Sequence, residues 1–253
     1  MSDADRLAAA FEGGRTLDAL SAPLTMEAAY DLQDAVRARL ARPVVGWKLA
    51  QVPEAVQAAA GITAPTVSPL LSGMIVPDET RFGTGRFRRP EVEAEIVLEI
   101  GSAITEPVAI DDLQEQVLSV RLGLEIADTR FTDKLAQPVT SVVADMNSCG
   151  ALVVTPPVDP SALHEADAIP VSLRLGDGAL LDALPQAMRP RPLIALSFLV
   201  DFVLARGETI AAGALITTGT HTKPTVSGPG LLAGSFDDVG KVSARLSSPM
   251  PVA

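Results

Sequence analysis

Pro90-Glu91-Val92-Glu93-Ala94-Glu95-Ile96-Val97-Leu98-Glu99-Ile100 alternates apolar and acidic residues along most of its length. On a β-strand this period puts Glu91, Glu93, Glu95 and Glu99 on one face and Val92, Ala94, Ile96, Leu98 and Ile100 on the other. The second face is oily enough to bury. Neighbouring carboxylates repel one another and resist burial unless something positive compensates them, and no basic residue stands among these. The acidic face is therefore either wet or the seat of a cation. A solvated acidic edge that discourages strand-to-strand aggregation accounts for the pattern as well as a metal does.

A chain of 253 residues with 47% hydrophobic content has enough apolar material for a substantial core. Acidic residues outnumber basic ones 31 to 20, for a net charge of -11. That balance argues against a nucleic-acid surface, which needs a basic stripe to neutralise phosphates. An anionic substrate would need local positive charge or a metal to overcome the field. The N-terminal Met1-Ser2-Asp3-Ala4-Asp5-Arg6 lacks the basic and apolar regions of a signal peptide, and no apolar run is long enough to span a bilayer. Cys149, the single cysteine, allows no internal disulfide, thiolate cluster or redox dithiol. The expected compartment is the cytoplasm, with no membrane partner.

Capping residues and periodicity predict helices over 6–11 (Ser2 or Asp3 as cap), over a segment capped by Thr25 with an Ala28, Leu32, Ala35, Val36, Leu40 stripe, and over 54–60. Residues 44–49 read as a strand, and 65–89, rich in proline and glycine, as an irregular passage. Beyond the acidic strand come an expected helix capped by Asp111 or Asp112 and carrying Leu113, Val117 and Leu118, and a strand over 120–126. Further strands are expected at 151–155, 171–175, 179–184, 214–218 and 239–246. A very apolar helix over 192–205 should lie against the sheet, and a loop should fill the gap between the last two strands. The expected division is a helical N-terminal region, 1–64, and a β-rich body, 65–253.

Glu93 and Glu95 lie two apart on one strand face, roughly 7 Å between Cα atoms, so both carboxylates can reach one ion. Glu125 offers a third oxygen ligand and shares its face with Gly123, where a missing side chain leaves room for a bound group. Carboxylates without histidine or thiolate partners suit a hard cation, Mg²⁺ or Mn²⁺. Lys48, in an apolar strand beside the only tryptophan, is either an acid–base or carboxylate-gripping group or a lysine pointing to solvent. His164 has no supporting partner, whereas His221 stands among small and hydroxyl residues in Thr218-Gly219-Thr220-His221-Thr222-Lys223-Pro224. No Gly-x-Ser-x-Gly elbow, phosphate loop or dinucleotide turn is present.

Four motifs in order carry a resemblance: Gly46-Trp47-Lys48, Pro90-x-x-Glu93-Ala94-Glu95-Ile96, Leu124-Glu125-Ile126 followed by Arg130, and Val143-Ala144-Asp145-Met146-Asn147-Ser148-Cys149-Gly150. Together they resemble the 2-keto-4-pentenoate hydratase and 4-oxalocrotonate decarboxylase family of the fumarylacetoacetase superfamily. The resemblance implies an α+β fold, with a small helical N-terminal part followed by a mixed β-roll core. It implies Glu93, Glu95 and Glu125 as metal ligands, Lys48 as the active-site lysine and Ser148 as a pocket residue. The implied activity is a lyase acting on a short 2-keto or 2-enol carboxylate in aromatic-compound catabolism, by addition of water to a 2-hydroxy-dienoate.

Two departures from the family pattern bear on the reaction. Thr66-Val67-Ser68 stands where the family typically has an acid, an aromatic residue and glycine, so the group that would guide water is absent. Thr66, His221 and Lys223 are the candidate substrate-reading residues. His221 and Lys223 would suit a second carboxylate, which favours the alternative reading, a 4-oxalocrotonate-type decarboxylase. A 2-keto acid hydrolase or dehydratase and a non-catalytic partner subunit are further alternatives. The superfamily's hydrolases use a histidine–glutamate pair in an N-terminal lid, and no histidine precedes His164. Assembly as a homo-oligomer, alone or with a partner enzyme of the same pathway, completes the expectation.

Overall fold

The computed structural model describes residues 1–163, 166–178 and 180–247. Its helices are α1 (Asp3–Phe11), α2 (Met26–Leu40), α3 (Glu54–Ala59), α4 (Val139–Ala144) and α5 (Pro192–Ala205). Its strands are β1 (Val44–Ala50), β2 (Thr66–Leu71), β3 (Ile75–Pro77), β4 (Thr80–Phe82), β5 (Glu91–Ile100), β6 (Val117–Ala127), β7 (Cys149–Val154), β8 (Val171–Leu175), β9 (Leu180–Asp182), β10 (Leu215–Thr220), β11 (Thr225–Val226), β12 (Gly230–Phe236) and β13 (Gly240–Leu246). Among the described residues these strands form two mixed sheets. The larger runs β2-β1-β10-β5-β6-β7-β3, with β11 also on β5, and the smaller runs β4-β13-β12-β8-β9. The result is an α+β fold, a small helical N-terminal region on a curled, mixed β core.

The alternation in β5 determines its place. Val92, Ala94, Ile96, Leu98 and Ile100 are fully buried in a core shared with β6, the smaller sheet and α5. Burying each of the larger side chains there is worth roughly 1.5–3 kcal/mol. The acidic face of β5 looks the other way, toward the layer of α1 and α2, where Val97 joins Leu7, Val36, Leu152 and Met146 in a second core. Ser2 caps α1 in a capping box with Asp5, and Thr25 caps α2. The buried stripe of α2 is Ala29, Tyr30, Gln33 and Val36, with Leu32, Ala35 and Leu40 only flanking it. Helix α5 is apolar nearly all round because its far side is covered too: Phe202 packs on Tyr30 of α2 with 4.8 Å between ring centroids and the rings tilted at 54°.

Several expectations are corrected. Residues 65–89 are not irregular; they hold β2, β3 and β4. Pro69, one of the prolines of this passage, lies in β2, the edge strand beside β1, where a missing N–H costs no ladder bond. Strand β1 falls within 1–64 yet belongs to the large sheet. The segment Ile110–Gln116 is a 3-10 helix, while Val117 opens β6 and Leu118 is exposed. The expected loop before 239–246 contains β11 and β12. A Cβ at Gly123 would stand 2.7 Å from Val97 Cγ2 and 3.3 Å from Leu152 Cδ1, so that space is filled by packing rather than left for a ligand. His164 lies outside the described residues.

Candidate active site and metal centre

Antiparallel pairing of β5 with β6 sets Glu93 directly opposite Glu125, and Glu95 opposite Gly123. Ligand oxygens of Glu93, Glu95 and Glu125 lie within 4.8 Å of one another. Glu95 and Glu125 are fully buried and Glu93 is half-buried at the edge of a cavity. Burial, then the charge of Glu125, pushes the Glu93 carboxyl up to about 7. Burial, then Glu125 and Glu93, holds Glu95 well above the ordinary carboxylate range. Gly219, at φ 103, turns its N–H onto Glu95 Oε2 at 3.1 Å, a backbone angle that an L side chain would strain. Glu125 Oε2 is buried with no hydrogen-bond partner. An all-oxygen donor set with an orphaned, buried carboxylate oxygen fits a hard divalent cation.

Lys48 reaches the cluster from β1. Its ammonium is buried, paired with Glu125 Oε1, and donates to the Asn147 carbonyl at 2.9 Å. Burial lowers its affinity for the proton, but Glu125 and then Glu93 outweigh this and raise Lys48 above its ordinary value. The side chain is thus held as a cation. Ser68 and Thr217 flank Lys48 in register on β2 and β10, and among the described residues their hydroxyls, Ser148 Oγ and Asn147 Nδ2 are buried without partners. Unmet hydrogen-bonding capacity is concentrated on this one face of the sheet.

Asn147 is presented by an unusual turn in which Met146, Asn147 and Ser148 have φ 49, 49 and 58. Left-handed backbone costs an L residue about 1–2 kcal/mol. Arg130 and Asp145, both buried, hold it through Nε to Oδ1 at 2.5 Å. The cavity, about 440 Å³, has Lys48, Glu93, Asn147 and Gly219 at its floor. Val52, Val56, Val142, Leu184 and Met188 supply an apolar wall, and Gln51, Lys134 and Lys223 stand on its lining.

Residues 45–243 match the family model for the fumarylacetoacetate (FAA) hydrolase C-terminal region. The chain belongs to the superfamily of fumarylacetoacetate hydrolases, 2-keto-4-pentenoate hydratases and 4-oxalocrotonate decarboxylases. It is 31% identical to 2-keto-4-pentenoate hydratase 1 of Dechloromonas aromatica (strain RCB) over 248 residues, covering 94% of this chain and 93% of that one. It is 28% identical over 234 residues to 4-oxalocrotonate decarboxylase of Pseudomonas putida, covering 88% and 86%. Its fold matches 4-oxalocrotonate decarboxylase from Pseudomonas putida G7, complexed with magnesium and adipate, with TM-score 0.86 at 24% identity, covering 96% and 95%. The chain is a metal-dependent, lyase-type enzyme of this superfamily, and the Glu93, Glu95, Glu125 cluster suits a divalent metal of the Mg²⁺ or Mn²⁺ kind as its cofactor. Among the described residues no helix is long and apolar enough to cross a membrane.

Within this superfamily framework the structure brings Lys48, Glu93, Glu95 and Glu125 together. Thr66 sits behind the cavity lining, donating to Gln51 Oε1 at 2.5 Å and lying 3.0 Å from Asn147 Oδ1. Ser148 is buried next to Asn147, and Asn147 is the one that lines the cavity. Lys223 is exposed at its rim. His221 is not at the cavity: its Nε2 lies 3.0 Å from the Ala166 carbonyl and its ring meets Phe236 edge-on. A bulge between Thr217 and Thr220 explains this, because it shifts the register on β5 by one residue and turns His221 to the side of Ala94. Glu91 and Glu99, at the ends of the acidic stripe, are half-buried and paired with Lys134 and Arg121. Gln51, Lys134 and the Arg130–Asp145 pair were missed. Arg130 and Asp145 stood in the motifs, but nothing in their spacing announced a left-handed turn.

Proposed function

We propose that the protein decarboxylates a short, unsaturated 2-keto dicarboxylate, with its divalent metal held by Glu93, Glu95 and Glu125. The observation that carries this reading is the poverty of acid–base groups around the cavity. Among the described residues lining it, Glu93 is the only acid, and there is no histidine, tyrosine or cysteine. Water addition needs a group to activate and direct water, and apart from the proposed metal ligand and three lysines, Lys48, Lys134 and Lys223, the lining is amide, hydroxyl, backbone and apolar. Loss of carbon dioxide needs only an electron sink and a place where a carboxylate is poorly hydrated.

The metal, when bound, supplies Lewis acidity to the 2-keto oxygen. The other steps fall to side chains of this chain. Lys134 and Lys223 bring positive charge to the cavity of a protein with net charge -11, favouring entry of a dianion. The distal carboxylate then lies against Val52, Val142, Leu184 and Met188. Its C–C bond breaks, carbon dioxide leaves, and the electron pair passes through the conjugated double bond to the C2 oxygen. Lys48 Nζ, fixed by Glu125 and Asn147, meets the charge developing there as a hydrogen-bonded cation, and the oxygen takes its proton from water.

Hydration of a 2-hydroxy-dienoate is the second reading, favoured by the 31% identity to a 2-keto-4-pentenoate hydratase. Both readings are tested by following ultraviolet absorbance of oxalocrotonate-type and dienoate substrates with and without Mg²⁺, with carbon dioxide measured in parallel. Metal-dependent carbon dioxide release from the diacid is the expected result. Loss of dienoate absorbance without carbon dioxide would replace decarboxylation by hydration.

A further inference from the structure

We propose that Arg130 and Asp145 form a positioning pair for Lys48, acting through the left-handed turn Met146–Ser148. The inference rests on the role given to Lys48 above. Neither residue lines the cavity, so neither is placed to touch substrate. Their bonds converge instead on the two ends of the turn. Arg130 Nη2 donates to the Asp145 carbonyl and Nη1 to those of Asp128 and Cys149, at 2.6 and 2.7 Å. The Asp145 carboxylate accepts from the Arg130 backbone N–H at 3.0 Å and from Thr129 Oγ1 at 3.1 Å. On the outer side the Phe11 ring covers the guanidinium at 3.7 Å, tying α1 to the same pair.

A buried ion pair is a weak source of stability, because desolvation offsets most of the attraction. What this one does is hold non-glycine residues in a backbone region they avoid. The carbonyl at the centre of that turn, Asn147, accepts from Lys48 Nζ at 2.9 Å and fixes one of the three ammonium protons. A relaxed turn would withdraw that carbonyl and leave Lys48 with Glu125 as its remaining anchor. The carboxylate cluster itself sits on β5 and β6, whose ladder with each other is formed by residues outside the turn. Turnover and metal binding should therefore separate.

The test uses the full chain with Mn²⁺ and the substrate that turns over. In Asp145→Asn, kcat is expected to fall about 100-fold, the cost of a misplacement near 1 Å, with KM and the Mn²⁺ dissociation constant changed less than about threefold. In the double variant with Lys48→Met, turnover should be no lower than in Lys48→Met alone. If Asp145→Asn does not fold, Arg130→Lys, which keeps a charge opposite Asp145 but loses the planar fork, is read the same way. A folded variant with full kcat, or one that loses Mn²⁺ affinity in step with kcat, overturns the proposal. So do additive losses in the double variant, with Lys48 still essential. Full turnover in Lys48→Met alone overturns the role of Lys48 and the positioning pair with it.

Discussion

The two faces of β5 come from one alternating sequence and end in opposite electrostatic conditions. On one face Val92, Ala94, Ile96, Leu98 and Ile100 are buried and satisfied by packing alone. On the other, the ends of the stripe are satisfied by ion pairs, Glu91 with Lys134 and Glu99 with Arg121, while its centre is not. Glu93, Glu95 and Glu125 share Lys48 as their close cation, and one carboxylate oxygen has no partner. A strand can bury charge without pairing it fully only if something else supplies the missing positive charge. The difference between the faces is thus the difference between a core and a site.

The largest effect that would break this comparison is at Lys48. Lys48→Met should cut turnover by about 1,000-fold, within the range for loss of a preorganised donor to developing charge, while Mn²⁺ still binds in a titration. Equal loss of metal binding would make Lys48 part of the cation site rather than of the chemistry.

The faces should also respond to pH with opposite signs in metal-free protein. Glu93 has its folded value raised to about 7, so its contribution is complete below the unfolded value near 4.5 and is lost as pH rises toward 7. His221, on the apolar side, is held down to about 4 by burial. Its contribution is present above about 6.5 and is lost as pH falls toward 4. Thermal unfolding in EDTA should show both arms. Mg²⁺ should flatten the alkaline one, and His221→Leu the acidic one, with turnover retained. An alkaline arm indifferent to Mg²⁺ would contradict the cation site.

The smallest effect is expected at the end of the stripe. Glu99→Gln removes a partly exposed pair with Arg121 and should cost about 0.5–1 kcal/mol in denaturant unfolding, with no change in Mn²⁺ affinity. A larger loss, or weakened metal binding, would mean that the ends and centre of the stripe act as one unit.

How much of this was legible in sequence follows from which signals are local. The period of β5, the caps of α1 and α2 and the apolar run of α5 depend on neighbouring residues and were readable. Strand β2 was hidden by Pro69, whose tolerance depends on lying at a sheet edge, a tertiary fact. The carboxylates and Lys48 were legible because their motifs stand in order along the chain. His221 was misplaced because a one-residue bulge reverses which face it joins, and composition carries no sign of a bulge. Asn147 and its supporting pair were missed for a related reason: three successive non-glycine residues in left-handed backbone contradict local preference and are held there by Arg130 and Asp145.

The middle of the acidic stripe is proposed as a cation site. Calorimetric titration of Mn²⁺ into folded wild-type protein and Glu95→Gln tests it most directly. Wild type should bind a single ion, and the variant, matched in fold by circular dichroism, should bind it at least about tenfold more weakly. Equal affinity in the two proteins would contradict the claim and return the stripe to a buried acidic face without a metal.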